Sequence, residues 1–159
     1  MVYFAVFLAI VALDIGTKLW AIDALKGAPS VRLWDGVFHL TYVENQGAAF
    51  GVFKDGRVFF IVATILVLVV IAIMARKYKA KSKILDFGLT IVAAGAVGNL
   101  LDRILRGFVV DFLDFCLIDF PVFNVADIAV CTGAVFVSVF IIFFEDTLKE
   151  KRDYQSDET

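Results

Sequence analysis

The sequence predicts an all-α integral membrane protein with four transmembrane helices and a small extracytoplasmic β-sheet or lid. Three observations carry this. Hydrophobic residues make up 61% of the chain and mean hydropathy is +0.88, well above a soluble domain. Val58–Ala75 contains no charged residue and is long enough to span a bilayer. A dense basic run, Arg76, Lys77, Lys79, Lys81 and Lys83, follows it directly. The length of 159 residues favours one domain, residues 1–159.

The first span covers about residues 3–24. Val2–Leu13 is continuously apolar, with no basic segment before it and no small-residue cleavage site after it, so it reads as a helix and not a leader. Residues 26–57 form an outer loop punctuated by glycines. Within it, Phe38, Leu40 and Tyr42 alternate with His39, Thr41 and Val43 as in a strand. The second span is 58–75, and the basic loop 76–83 is cytoplasmic by the positive-inside rule. The third span is 84–104, with Asp86 near the basic loop and Gly88, Ala93, Ala94, Gly95, Ala96 and Gly98 offering a close-packing surface. Residues 105–121 form a second outer loop of interfacial character. Pro121 suits the start of a fourth span, 122–144. The polar tail 145–159 is cytoplasmic, so both termini lie inside.

Polar residues punctuate the oily segments at one depth. Asp14 and Lys18 share a helix face at i,i+4 spacing, as do Asn99 and Arg103. Asn124 and Asp127 fall in the first turns of the last span, and Asp111 in the loop before it. The topology puts all of these in the outer half of the membrane, where ionisable residues are candidates for function. Asp102 reads as structural, and Asp114 and Asp119 as solvated neighbours.

The chemistry is narrowed by what the chain lacks. Net charge is -2, with no basic aromatic patch for nucleic acid. His39 is the only histidine, and the spacing of Cys116 and Cys131 matches no zinc or redox motif, so no metal or cofactor is expected. No phosphate-cradling glycine loop is present. Among the polar residues at that depth, carboxylates, Arg103 and asparagines remain. Two close carboxylates share a proton, which gives one base and one acid: the requirement of aspartic-type peptide hydrolysis, with Asp111 and Asp127 as the pair.

The blocks Asp14-Ile-Gly-Thr-Lys18, Tyr42-Val-Glu-Asn-Gln-Gly-Ala-Ala-Phe-Gly51, Gly98-Asn-Leu-Leu-Asp-Arg103, Val109-Val-Asp-Phe112 and Phe123-Asn-Val-Ala-Asp127 resemble, in order and spacing, the signatures of the bacterial lipoprotein signal peptidases (signal peptidase II). The resemblance runs to about Phe144. It implies a four-helix aspartic peptidase of the bacterial inner membrane with a periplasmic β-cradle. It also implies cleavage of prolipoproteins before a diacylglyceryl-modified cysteine, among membrane lipids, and inhibition by globomycin. By the same resemblance Asp111 and Asp127 match the catalytic pair. Asn45, Asn99, Arg103 and Asn124 match positions lining the site, and Asp14 with Lys18 the polar pair of the first helix. Ala94 and Ile128 depart from a common glycine and a common serine. A proton-coupled transporter using Asp14, Asp111 and Asp127 is the alternative, opposed by the acids' clustering at one face and by the lack of an internal repeat. An assembly subunit is a third reading.

Overall fold

The computed structural model describes residues 1–47, 56–78, 82–118 and 120–144. Among the described residues, four helices are long and apolar enough to cross a membrane: α1 (Val2–Leu25), α2 (Arg57–Lys77), α3 (Lys83–Leu105) and α4 (Val125–Phe143). Three strands, β1 (Val31–Trp34), β2 (Phe38–Asn45) and β3 (Val109–Phe115), form an antiparallel sheet in the order β1-β2-β3. The basic stretch 79–81, Asp119 and the tail from 145 lie outside the described residues.

The helices are apolar almost all round, as lipid-facing helices must be. What distinguishes a face is burial. In α1 the buried residues are Asp14, Lys18, Ala21 and Leu25, one stripe at helical spacing. That stripe is ionic in its first half and apolar in its second. α3 is the central element and packs against α1, α2 and α4. α2 buries none of its residues and lies at the edge of the bundle.

Close packing of α3 on α4 depends on glycine. A Cβ at Gly133 would stand 2.6 Å from Val92 Cγ2 and 2.7 Å from the Gly88 carbonyl oxygen. A Cβ at Gly95 would overlap the Ala126 carbonyl oxygen, which is backbone and cannot move aside. Close approach of backbones is how helices associate in lipid, where apolar burial gives little drive. Gly95→Val is therefore expected to cost roughly 1–3 kcal/mol through overpacking. A lowered melting temperature in detergent checks it.

The sheet caps the bundle where α1 and α3 end and α4 begins. Val110 and Phe112 of β3 pack on Ala21 and Leu25 of α1. At the other end Leu85, Leu89 and Phe140 form a separate cluster with Met74 and Tyr78.

Two segments differ from the sequence expectation. The loop 105–121 contains strand β3 followed by a single 3₁₀ turn, Cys116–Ile118. Val109–Phe112 is buried on both faces, so the alternation that marks a half-exposed strand is absent. The last helix starts at Val125, not at Val122, because Asn124 caps it. The Asn124 side chain accepts from the Asp127 N–H at 3.0 Å, and the Asp127 carboxylate accepts from the Asn124 N–H at 3.1 Å. This reciprocal box satisfies two of the donors that a helix N-terminus leaves open. Pro121 belongs to the approach, in which Phe123 pairs with Leu113 at the edge of β3.

Candidate active site

Strand register decides which acids meet. β2 and β3 pair His39↔Asp114 and Leu40↔Leu113, then shift by one residue before Val43↔Asp111 and Asn45↔Val109. The extra residue on β2 is a bulge, which re-aims side chains on the bulged strand. Asn45 and Asp111 become diagonal neighbours on one face, and Asn45 Nδ2 donates to Asp111 Oδ2 at 2.8 Å. Asp114 lies on the opposite face of β3 by strand alternation. It is half-buried and accepts the Thr41 hydroxyl at 2.6 Å, so it is not the simply solvated neighbour expected.

The pairing of Phe123 with Leu113 sets Asn124 beside β3. Asn124 Nδ2 donates to Asp111 Oδ1 at 2.6 Å and to Asn99 Oδ1 at 3.1 Å. Asn99 Nδ2 donates to Asp127 Oδ1 at 2.8 Å. Asp111 and Asp127, from a strand and a helix start, are thus joined through two asparagine amides. Each of the four carboxylate oxygens accepts one hydrogen bond.

Behind this layer lies an ionic one. Lys18 Nζ forms ion pairs with Asp14 Oδ2 at 2.8 Å and Asp102 Oδ2 at 3.3 Å and donates to Asn99 Oδ1 at 2.9 Å. Lys18 and Asn124 both donate to Asn99 Oδ1, so the Asn99 amide has one orientation, with Nδ2 towards Asp127. Asp14 Oδ1 accepts the Ala126 N–H at 2.9 Å, a further open donor at the start of α4. It reaches there because residue 98 is glycine; a Cβ would overlap Asp14 Oδ2. Asp14, Lys18, Asp111 and Asn124 are at most 1% exposed.

Asp102 is more central than the sequence indicated. It pairs with Lys18, accepts Arg106 Nε at 3.0 Å and the Val110 N–H at 3.1 Å, and so ties α1, α3 and β3 together. Its i,i+4 relation to Arg106 is the signal in the sequence that could have found it. Arg57 was also missed: it caps α3 by donating to the carbonyls of Arg103 at 2.8 Å and Ile104 at 2.9 Å. No local signal marks that role. Arg103 stacks over the Phe60 ring, 5.1 Å from its centre.

Asn45, Arg103, Asp111 and Asp127 open onto a cavity of about 510 Å³ whose other wall is apolar, with Phe120, Val122, Phe123 and Ile128. Burial, the largest effect, pushes the Asp111 carboxyl up to about 6; the charge of Asp127 also raises it, while the hydrogen bonds from Asn45 and Asn124 act the other way.

Four spans, a sheet on one end and buried carboxylates facing an apolar cavity describe a polytopic membrane enzyme. The same fold occurs in a bacterial membrane enzyme solved by the in meso method at 1.9 Å resolution: TM-score 0.81, 28% identity, 90% of this chain and 94% of that one covered. The chain belongs to the signal peptidase II family, whose model, "Signal peptidase (SPase) II", matches residues 6–143. A lipoprotein signal peptidase of Clostridioides difficile (strain 630) is 37% identical over 148 residues, 91% of this chain and 97% of that one. One from Brevibacillus brevis is 44% identical over 133 residues, 84% and 89% of the two chains. Family membership makes the chain a peptidase.

Proposed function

We propose that the chain removes signal peptides from prolipoproteins, cutting before the diacylglyceryl-modified cysteine, with Asp111 and Asp127 activating water. The observation that carries this reading is the pair itself: two carboxylates from separate elements, bridged by Asn99 and Asn124, at the wall of an apolar cavity. The ionised carboxylate takes a proton from water as the water oxygen adds to the scissile carbonyl carbon. The neutral one gives its proton to the carbonyl oxygen. The gem-diol then returns one hydroxyl proton to the carboxylate that had given its own, the C–N bond breaks, and the leaving cysteine nitrogen takes the proton that the other carboxylate had drawn from water. Asn45 and Asn124 hold Asp111, Asn99 holds Asp127, and Arg103 supplies positive charge at the cavity wall.

The active-site end faces outwards, since the basic run 76–83 assigns the opposite end to the cytoplasm. The setting is the bacterial cytoplasmic membrane. A diacylated cysteine keeps the scissile bond at the surface where the carboxylates stand, which lowers the entropic cost of their meeting. No cofactor enters this reading.

Purified chain incubated with a diacylated prolipoprotein is expected to release free signal peptide and leave cysteine at the new N-terminus, with globomycin blocking the reaction. An uncut precursor, or equal cleavage of the unlipidated one, refutes the reading.

The one-proton state of the pair has a pH signature. With Asp111 raised to about 6, kcat/KM should fall as pH rises past that value and the pair loses its shared proton. Asn45 donates to the ionised form and holds the value down. Asn45→Ala is therefore expected to move the alkaline limb to higher pH while lowering the maximum rate, read from a pH–rate profile.

A further inference from the structure

A second cluster of chemically capable side chains sits on the sheet, away from the Asp111–Asp127 pair. The sequence offers His39 no neighbouring ligand, but strand pairing does. His39 and Asp114 are cross-strand partners on β2 and β3. Cys116, in the turn after β3, is held alongside by its N–H donating to the Val37 carbonyl at 2.9 Å. His39 Nδ1 lies 3.2 Å from Cys116 Sγ, and Sγ lies 3.3 Å from Asp114 Oδ1. All three ligand atoms fall within 4.8 Å of one another.

We propose that His39, Asp114 and Cys116 bind a borderline-soft divalent transition-metal ion, of which zinc fits best. In the His39 tautomer that carries its proton on Nε2, three lone-pair-bearing atoms converge and the thiol brings one proton to share among them. A cation satisfies all three. At zinc bond lengths of about 2.0–2.3 Å, tetrahedral ligand atoms stand roughly 3.3–3.6 Å apart, close to the two separations from Cys116 Sγ, 3.2 Å to His39 Nδ1 and 3.3 Å to Asp114 Oδ1. Nitrogen, thiolate and carboxylate on three side chains, with a fourth position left for water, is a donor set suited to zinc. The ligand carboxylate is also fixed from behind: its other oxygen, Oδ2, accepts the Thr41 hydroxyl at 2.6 Å, and Thr41 Oγ1 lies 2.9 Å from Ser30 Oγ.

The same three residues could be read as a cysteine nucleophile, but the geometry opposes it. In such a triad the acid orients the far nitrogen of the imidazole. Here Asp114 contacts the sulfur, where its charge disfavours a bare thiolate. His39 Nε2 has no hydrogen-bond partner among the described residues. A bound ion would clamp β2 to β3 at the end of the sheet away from Asn45 and Asp111.

The composition makes the test clean, because the chain holds 1 histidine and 2 cysteines. Full-length, tag-free protein in detergent is stripped with chelator and titrated with Co²⁺. The expected result is a single equivalent with a thiolate-to-cobalt absorption band that Zn²⁺ displaces. Cys116→Ser and His39→Ala should each abolish the band, Cys131→Ser should keep it, and Thr41→Val should weaken binding by about 10-fold or more. Zn²⁺ should raise the melting temperature of the wild type and not of Cys116→Ser, a readout that also shows whether the variant is folded. No thiolate band in the wild type, a band that survives Cys116→Ser, or one lost with Cys131→Ser overturns the proposal.

Discussion

Asp111→Asn and Asp127→Asn are each expected to lower cleavage of a diacylated prolipoprotein by about 10²–10⁴-fold or more, the range that general acid–base groups supply. On the proposed mechanism the losses should not add, because the two carboxylates act as one unit and removing either disables the same step. The variants differ in what else they disturb. Asparagine at 111 can still accept from one amide, but its own NH₂ would face the NH₂ of either Asn45 or Asn124. Asparagine at 127 must keep Oδ1 for Asn99 and would turn its NH₂ towards the Asn124 N–H, weakening the cap of α4 by about 1 kcal/mol. Melting temperatures measured beside the rates separate lost chemistry from this small structural cost. Asp35→Asn, an exposed acid paired with Arg32 across its turn, is the control expected to keep full activity. Asp114→Asn, on the far face of β3, should lose much less than Asp111→Asn. Substantial cleavage by either dyad variant would remove that residue from the mechanism.

The membrane scaffold was legible in the sequence because its signal is long and redundant. A span needs about 20 predominantly apolar residues, and α2 runs from Val58 to Ala75 without a charge. The i,i+4 pairing of Asp14 with Lys18 was legible for a related reason: it lies within one helix, whose geometry is known in advance. The division of labour between Asp111 and Asp114 was less so. It rests on which face of a strand each side chain takes, and a one-residue shift of register exchanges the faces. The bulge between Leu40 and Val43 is such a shift, and nothing local announces it. Strand β3 itself was hidden because burial on both faces removes the period-two pattern. Resemblance to a known family pointed to Asp111 where periodicity alone did not. Asp119 lies outside the described residues. The gathering of His39, Asp114 and Cys116 depends on the same pairing, so a lone histidine in sequence acquires partners only when β2 meets β3.

Lys18→Met should be the most damaging single change away from the carboxylate pair. Lys18 is 1% exposed and lies between Asp14 and Asp102, themselves 0% and 6% exposed. Removing one charge from a buried network leaves the partners unpaired, at a cost of roughly 3–5 kcal/mol, comparable to much of a domain's stability. The damage should reach the active site by a defined route. Without Lys18, Asn99 Oδ1 keeps only Asn124 as a donor, so the amide that presents Nδ2 to Asp127 loses half of what orients it. The expected result is a large fall in melting temperature together with a lower kcat. The double variant Asp14→Asn/Lys18→Met separates charge from shape. It removes one uncompensated carboxylate and leaves Asp102 with Arg106, so it should melt above Lys18→Met alone. Its activity should stay low, because neutralising Asp14 does nothing to restore the donor to Asn99. If the double variant melts no higher than the single, the instability comes from lost packing of the lysine stem, and the buried charges of Asp14 and Asp102 are balanced without it.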